Sequence, residues 1–225
     1  MKKLLLLIIL VAGVIAFALP GEATTLTFDL DYEFSGATPP AGPAPWITAT
    51  FDDSFGGANT LRLTMDTGNL VDNEFVSKWL FNFDDNRDVT QLSFTVVDTS
   101  GSTPININTG MNAFKADGDG YFDIEFDFPP PPGAFMKKFT AGETVVYDIT
   151  YTSAIDVFAF NYGSAPGGGA GTFLSAAHVQ GIGPDDEDSG WIGTPVPEPA
   201  TMLLFGTGLV GFAVSQKKRF KKRSK

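Results

Sequence analysis

The chain has 225 residues, no cysteine, one histidine and a formal net charge of −11, so disulfides, thiolate zinc sites and cysteine nucleophiles are excluded within it. Nine of its 15 basic residues and two of its 26 acidic residues fall in or beside two hydrophobic ends. The region between keeps 6 basic and 24 acidic residues, a net of about −18, the reverse of a nucleic-acid-binding surface and a charge that favours solubility and can collect divalent cations.

Residues 1–23 read as a secretory signal peptide. Lys2 and Lys3 form a positive start, residues 4–18 are apolar and uncharged, and Pro20-Gly21 breaks any helix. Gly21 and Ala23 are small and place cleavage after Ala23, with Ala16-Phe17-Ala18 as a second site. The run is short for a lasting span of roughly 20 residues.

Residues 24–182 are dominated by apolar alternation, the pattern of strands with one wet and one buried face. Leu26, Phe28, Leu30, Tyr32 and Phe34 share a face opposite Thr27, Asp29, Asp31 and Glu33. Phe122, Ile124, Phe126 and Phe128 alternate with Asp123, Glu125 and Asp127, and Val145, Tyr147, Ile149 and Tyr151 with Val146, Asp148 and Thr150. Further strands are predicted at 47–51, 61–65, 75–83, 92–97, 157–162 and 173–182. Gly56-Gly57, Gly68-Asn69, Asp117-Gly118-Asp119-Gly120 and the run of prolines before Gly133 supply turns. About nine strands so connected predict an all-β fold, an antiparallel, jelly-roll-like β-sandwich, with 21 phenylalanines to fill the space between the sheets. Residues 39–45 and 163–171 read as exposed loops. Residues 183–196 read as a linker, unless Trp191 and Ile192 belong to a last strand.

Several residues are candidates for chemistry. His178 with Ser164 or Ser175 has the residue types of a catalytic triad, but no Gly-x-Ser-x-Gly elbow occurs, and a hydrogen-bonded strand histidine is the plainer reading. Asp117, Asp119 and Asp123 are the best calcium candidates, since Asp-Gly-Asp-Gly bends the chain and hard cations favour clustered carboxylates. The EF-hand pattern fails, because Lys115 and Phe126 occupy loop positions 1 and 12, and Asp-Gly is also a hairpin turn. No cofactor other than calcium is indicated. Asp185, Asp186, Glu187 and Asp188 form an acidic run that reads as solvated chain. Trp46 and Trp191 are candidates for stacking on a glycan, while Trp79, in an apolar run, reads as core.

The last segment, 197–225, has three parts. Pro197-Glu198-Pro199 comes first, and proline favours extended backbone there. An apolar stretch follows over residues 200–214, from Ala200 through Leu204 and Leu209 to Val214, interrupted by glycines. A basic cluster closes it: Lys217, Lys218, Arg219, Lys221, Lys222, Arg223 and Lys225. The apolar stretch reads as a transmembrane sorting helix and the cluster as its cytoplasmic cap, with fifteen residues few for a permanent span. Val196 to Ala200, the glycine-interrupted stretch and the Lys/Arg cluster together resemble a PEP-CTERM sorting signal. Residues 74–82, 116–120, 176–182 and 189–192 more loosely resemble the extracellular part of other such proteins.

The resemblance implies an exosortase-type membrane peptidase as partner, a transient stay in the inner membrane, and Pro197, Glu198 and Pro199 as recognition residues. It further implies a link to exopolysaccharide or biofilm. The sequence thus predicts an exported, non-catalytic protein of the cell surface or extracellular matrix. Two rival expectations are a carbohydrate-binding module of the matrix and a secreted glycan hydrolase.

Overall fold

A computed structural model describes residues 24–99, 102, 104, 106–128, 138–169 and 171–196. The signal-peptide segment 1–23 and the segment 197–225 lie outside the described residues. The described chain is all-β and antiparallel, in two sheets.

The first sheet holds β1 (Thr25–Leu30), β3 (Ile47–Asp52), β4 (Thr60–Asp66), β6 (Ser93–Thr99) and β10 (Thr144–Thr150), in the order β1-β3-β4-β10-β6. The second is built on β2 (Tyr32–Glu33), β5 (Phe75–Phe81), β8 (Gly120–Asp127), β11 (Ala165–Pro166), β12 (Phe173–Ile182) and β13 (Asp188–Pro195), in the order β11-β8-β5-β12-β13-β2. In addition β7 (Asn106–Ala116) pairs with β8, and β9 (Phe139–Thr140) pairs with β5.

Alternation places the core. β3, β4 and β10 bury every second residue, so Ile47, Ala49, Phe51, Leu61, Leu63, Met65, Val145, Tyr147 and Ile149 face inward. Rings bridge the two sheets: Phe51 meets Phe81 edge-on at 5.5 Å, and Phe126 lies 5.3 Å from Tyr147 and 5.5 Å from Phe94. Each such buried side chain contributes roughly 1.5–3 kcal/mol over an exposed one, and edge-on ring pairs add to this. A smaller cluster on the outer side of the second sheet joins Leu80, Ala116, Phe122, Phe173 and Ala176, with Phe34, Phe114 and Trp191 packed against it.

Four expectations need correction. The first predicted strand is two: β1 pairs with β3 in one sheet and β2 with β13 in the other. The chain changes sheets at Asp31, so Tyr32 is 53% exposed despite sharing a sequence period with buried Phe28 and Leu30. Residues 157–162 are not a strand. Val157–Phe160 is a 3-10 turn whose N-cap, Asp156, accepts the Phe158 N–H. Three of its four residues are buried because it caps one end of the core rather than lying on a sheet face. The predicted linker 183–196 gives way to its alternative, since Asp188–Pro195 is β13, held between β12 and β2. Its glycines are packing sites: a Cβ on Gly193 would lie 2.9 Å from a Phe173 ring carbon and from the Ser175 carbonyl oxygen. The loop 163–171 is also more than an exposed loop, because it supplies β11 and lies on the 117–120 turn, with Gly167 seated against Gly120 N and Gly118 O.

β7 was not predicted at all. It mixes polar with scattered apolar residues and is part-buried to exposed along its length, and its pairing with β8 shifts register between Thr109 and Phe114. Tertiary pairing, not apolar pattern, makes it a strand.

Candidate functional site

The way the folded chain delivers its last segment is set by β13. Strand pairing runs to Pro195, opposite Phe173, and the Val196 N–H donates to the Thr172 carbonyl at 2.9 Å. The Thr194 hydroxyl donates to the Asp29 carbonyl at 2.6 Å, tying the same strand to β1. The fold therefore pairs the backbone up to Val196, so the described chain ends on a sheet rather than in a linker.

The other candidates are placed as follows. His178 sits on β12 opposite Lys78 on β5, at a register shift that sets Ser77 beside it. The Ser77 hydroxyl lies 2.8 Å from His178 Nδ1, and the Gln180 amide nitrogen lies 3.3 Å from Nδ1 and 3.2 Å from Ser77 Oγ. The amide can only donate, so Nδ1 is the acceptor and Nε2 carries the proton, an assignment made from the network. The ring stacks on Trp191 at 5.0 Å. Burial pushes its pKa below the ordinary 6.5, helped by the positive charge of Lys78 and opposed by Asp117. The partner Ser77 was missed in the sequence because only strand register brings residues 77 and 178 together.

The serines considered beside His178 have other work. Ser175 is buried, accepts the Trp79 indole N–H at 2.9 Å and donates to the Leu80 carbonyl at 2.9 Å. Ser164 is buried and accepts the Phe173 N–H at 3.1 Å.

Asp117, Asp119 and Asp123 are not brought to a common centre: among the described residues, no three His, Cys, Asp or Glu side chains are grouped to hold a metal ion. Asp117 takes a positive φ of 48° in the turn. Asp119 is buried against Gly169. Asp123 is buried and bonds two segments together, accepting the N–H of Phe83 at 2.9 Å and of Asn112 at 2.6 Å. Burial raises its carboxyl pKa above the ordinary range, while those two N–H groups pull it down. Asp123 also lines, with Phe83, Asp84, Asp85, Arg87, Val89 and Met111, a shallow surface depression with no enclosed room even for a water molecule, unlike a small-molecule pocket.

The two tryptophans proposed for glycan stacking differ. Trp46 is 8% exposed and part of the main core, with its indole N–H donated to the Gly42 carbonyl at 2.9 Å. So buried a ring has no free face to offer. Trp191 is half-buried, with one side on His178. Trp79 is fully buried, as its apolar run predicted.

Among the described residues no helix is long and apolar enough to cross a membrane. The apolar stretch 200–214, with Ala200, Leu204, Leu209 and Val214, lies outside them, as do Pro197, Glu198, Pro199 and the basic residues Lys217, Lys218, Arg219, Lys221, Lys222 and Arg223.

Comparison with known proteins gives one result on that segment. Residues 195–219 match the family model of the PEP-CTERM protein-sorting motif. No curated protein and no solved structure matches the chain. The match starts at Pro195, the last residue of β13, so the motif and the folded region meet within one residue of each other. The chain is a bearer of the PEP-CTERM protein-sorting motif, which implies processing by an exosortase, a membrane protein, with export and transient membrane anchoring before release at the cell surface.

Proposed function

We propose that this chain is a non-catalytic component of the cell surface or extracellular matrix, associated with exopolysaccharide or biofilm, and that its jelly-roll-like β-domain is the cargo of the sorting signal. Residues 1–23 direct export. Residues 200–214 stop in the inner membrane as a helix with Lys217 to Arg223 on the cytoplasmic side. Pro197-Glu198-Pro199 stands just outside the lipid, where an exosortase reads it. The observation that carries this reading is the junction at Pro195, where a complete strand passes directly into the matched motif. Support for a non-catalytic role comes from Ser164, Ser175 and Asp123, whose polar atoms are engaged in holding strands together.

The test is intact mass of the chain expressed with and without its exosortase. The expected result is loss of the segment after the motif only when the enzyme is present. Identical full-length mass in both hosts overturns the reading.

A glycan-binding role within the same matrix now rests on Trp191, since it is half-buried with one side against His178. Trp191→Ala should abolish pull-down by the host polysaccharide if that ring is the platform. Equal recovery of both forms would remove this second role.

A further inference from the structure

We infer that the rim of the sandwich from which the sorting segment leaves is a lipid-facing surface, resting on the headgroups of a zwitterionic bilayer through Phe158 and Phe55. The inference rests on the proposed membrane stop of residues 200–214 and adds an orientation for the folded domain.

Strand register fixes which loops share that rim. β1 enters from Thr24, whose N–H donates to Asp53 Oδ1 at 2.6 Å, and Asp53 follows β3. At the same end, Tyr151 N–H donates to the Asn59 carbonyl and Ile155 N–H to the Ala58 carbonyl. The 3-10 turn then reaches across to the other sheet, where Asp84 N–H donates to the Ala159 carbonyl at 2.9 Å. β13 ends close behind that turn, where the Val196 N–H donates to the Thr172 carbonyl and a Cβ on Gly163 would lie 3.0 Å from Val196 Cγ2. The exit at Val196 therefore lies beside the capping turn that carries Phe158.

Spacing brings that rim close to the bilayer. Only residues 197–199 separate Val196 from Ala200. Four peptide steps reach about 14 Å at most, and a headgroup layer is roughly 5–8 Å thick on each side of the hydrocarbon. While residues 200–214 are in lipid, the rim cannot stand far from the headgroups.

The side chains on the rim suit that position. Among the described residues the exposed large hydrophobics include three aromatics: Tyr32, Phe55 and Phe158, at 53%, 38% and 55% exposure. Phe55 and Phe158 lie at this end, whereas Tyr32 follows Leu30, at the far end of β1 from Thr25. Phe158 projects from the capping turn while Val157, Ala159 and Phe160 are buried beneath it. Phe55 is steadied by the Arg62 guanidinium, 4.1 Å from its ring centre. Aromatic rings exposed at headgroup depth are the usual interfacial anchors. The opposite rim carries the exposed Asp185, Asp186 and Glu187 in the β12–β13 turn.

Charge selects the lipid. Asp53, Asp84 and Asp156 on the membrane-side rim each accept a backbone N–H and hold loops in place. They keep this rim negative, so a zwitterionic surface is accepted and an anionic one repelled.

The absence of native cysteine allows single-site labelling of the full chain. Phe55→Cys, Phe158→Cys and Glu187→Cys variants would each carry a fluorophore, be checked for an unchanged melting transition, and be reconstituted in phosphatidylcholine vesicles with a headgroup-attached quencher. Co-flotation with the vesicles reports the membrane stop, and quenching reports the orientation. The expected result is co-flotation of all three, with quenching at 55 and 158 at least fivefold that at 187. Substituting phosphatidylglycerol for part of the phosphatidylcholine should reduce that difference, as should adding Phe158→Ser to the label at 55. Co-flotation with equal quenching at both rims overturns the orientation and leaves the membrane stop standing. Failure to co-float overturns both. Quenching that appears only with exosortase in the same vesicles assigns the rim to the enzyme and also overturns the proposal.

Discussion

The Trp79 indole N–H on β5 donates to the Ser175 hydroxyl on β12 at 2.9 Å, and the Ser175 hydroxyl in turn donates to the Leu80 carbonyl at 2.9 Å. One buried hydroxyl thereby satisfies a side chain and a backbone group on the neighbouring strand. Ser175→Ala leaves the indole N–H buried without its partner, a loss of about 1–3 kcal/mol. Urea denaturation should show that loss. Trp79→Ala should cost more, about 3–5 kcal/mol, because a large cavity opens beside Phe81 and Phe139.

Tyr147 shows the opposite case. Its hydroxyl is buried with no hydrogen-bond partner among the described residues, and burial raises its pKa well above the ordinary phenol value. Tyr147→Phe removes the unpaired oxygen and keeps the ring against Phe126. It should stabilise the domain by about 1 kcal/mol, seen as a higher denaturation midpoint.

His178 gives a pH dependence with a definite sign. Its folded pKa is lowered below 6.5, so the unfolded chain binds more protons as pH falls through 6.5 towards the folded value. Stability is therefore lost across that window on acidification. The melting temperature of the native chain should fall more between pH 7.5 and pH 5 than that of His178→Gln. Parallel curves would contradict the assignment.

Asp123 is a strand-joining carboxylate, and its removal should be felt with or without metal. Asp123→Ala strands the N–H groups of Phe83 and Asn112, at a net cost of about 2 kcal/mol. Calcium or a chelator should leave the melting temperature of the native chain unchanged, since Asp117, Asp119 and Asp123 do not converge. A calcium-dependent rise would contradict this reading of the trio.

Trp46 should behave as core and not as a ligand platform. Trp46→Ala should cost about 3–5 kcal/mol in stability, whereas Trp46→Phe should retain most of it. Loss of polysaccharide binding by a fully folded Trp46→Phe domain would contradict the burial argument.

The sequence by itself determined what local pattern can encode. Alternation in 47–51, 61–65 and 173–182 produced strands with the expected faces, because period two sorts side chains before any neighbour is present. The sorting motif was legible for the same reason: Pro197-Glu198-Pro199, the apolar stretch and the Lys/Arg cluster act in linear order. Only tertiary structure decided which strands are neighbours and what each polar group meets. It turned the chain between sheets at Asp31, recruited Asn106–Ala116 as a strand, folded 157–160 into a cap and made Gly190 and Gly193 part of β13. Ser77 meets His178, and Asp123 meets Phe83, across separations of 101 and 40 residues. Such pairs depend on register and packing, which no local pattern in the chain carries.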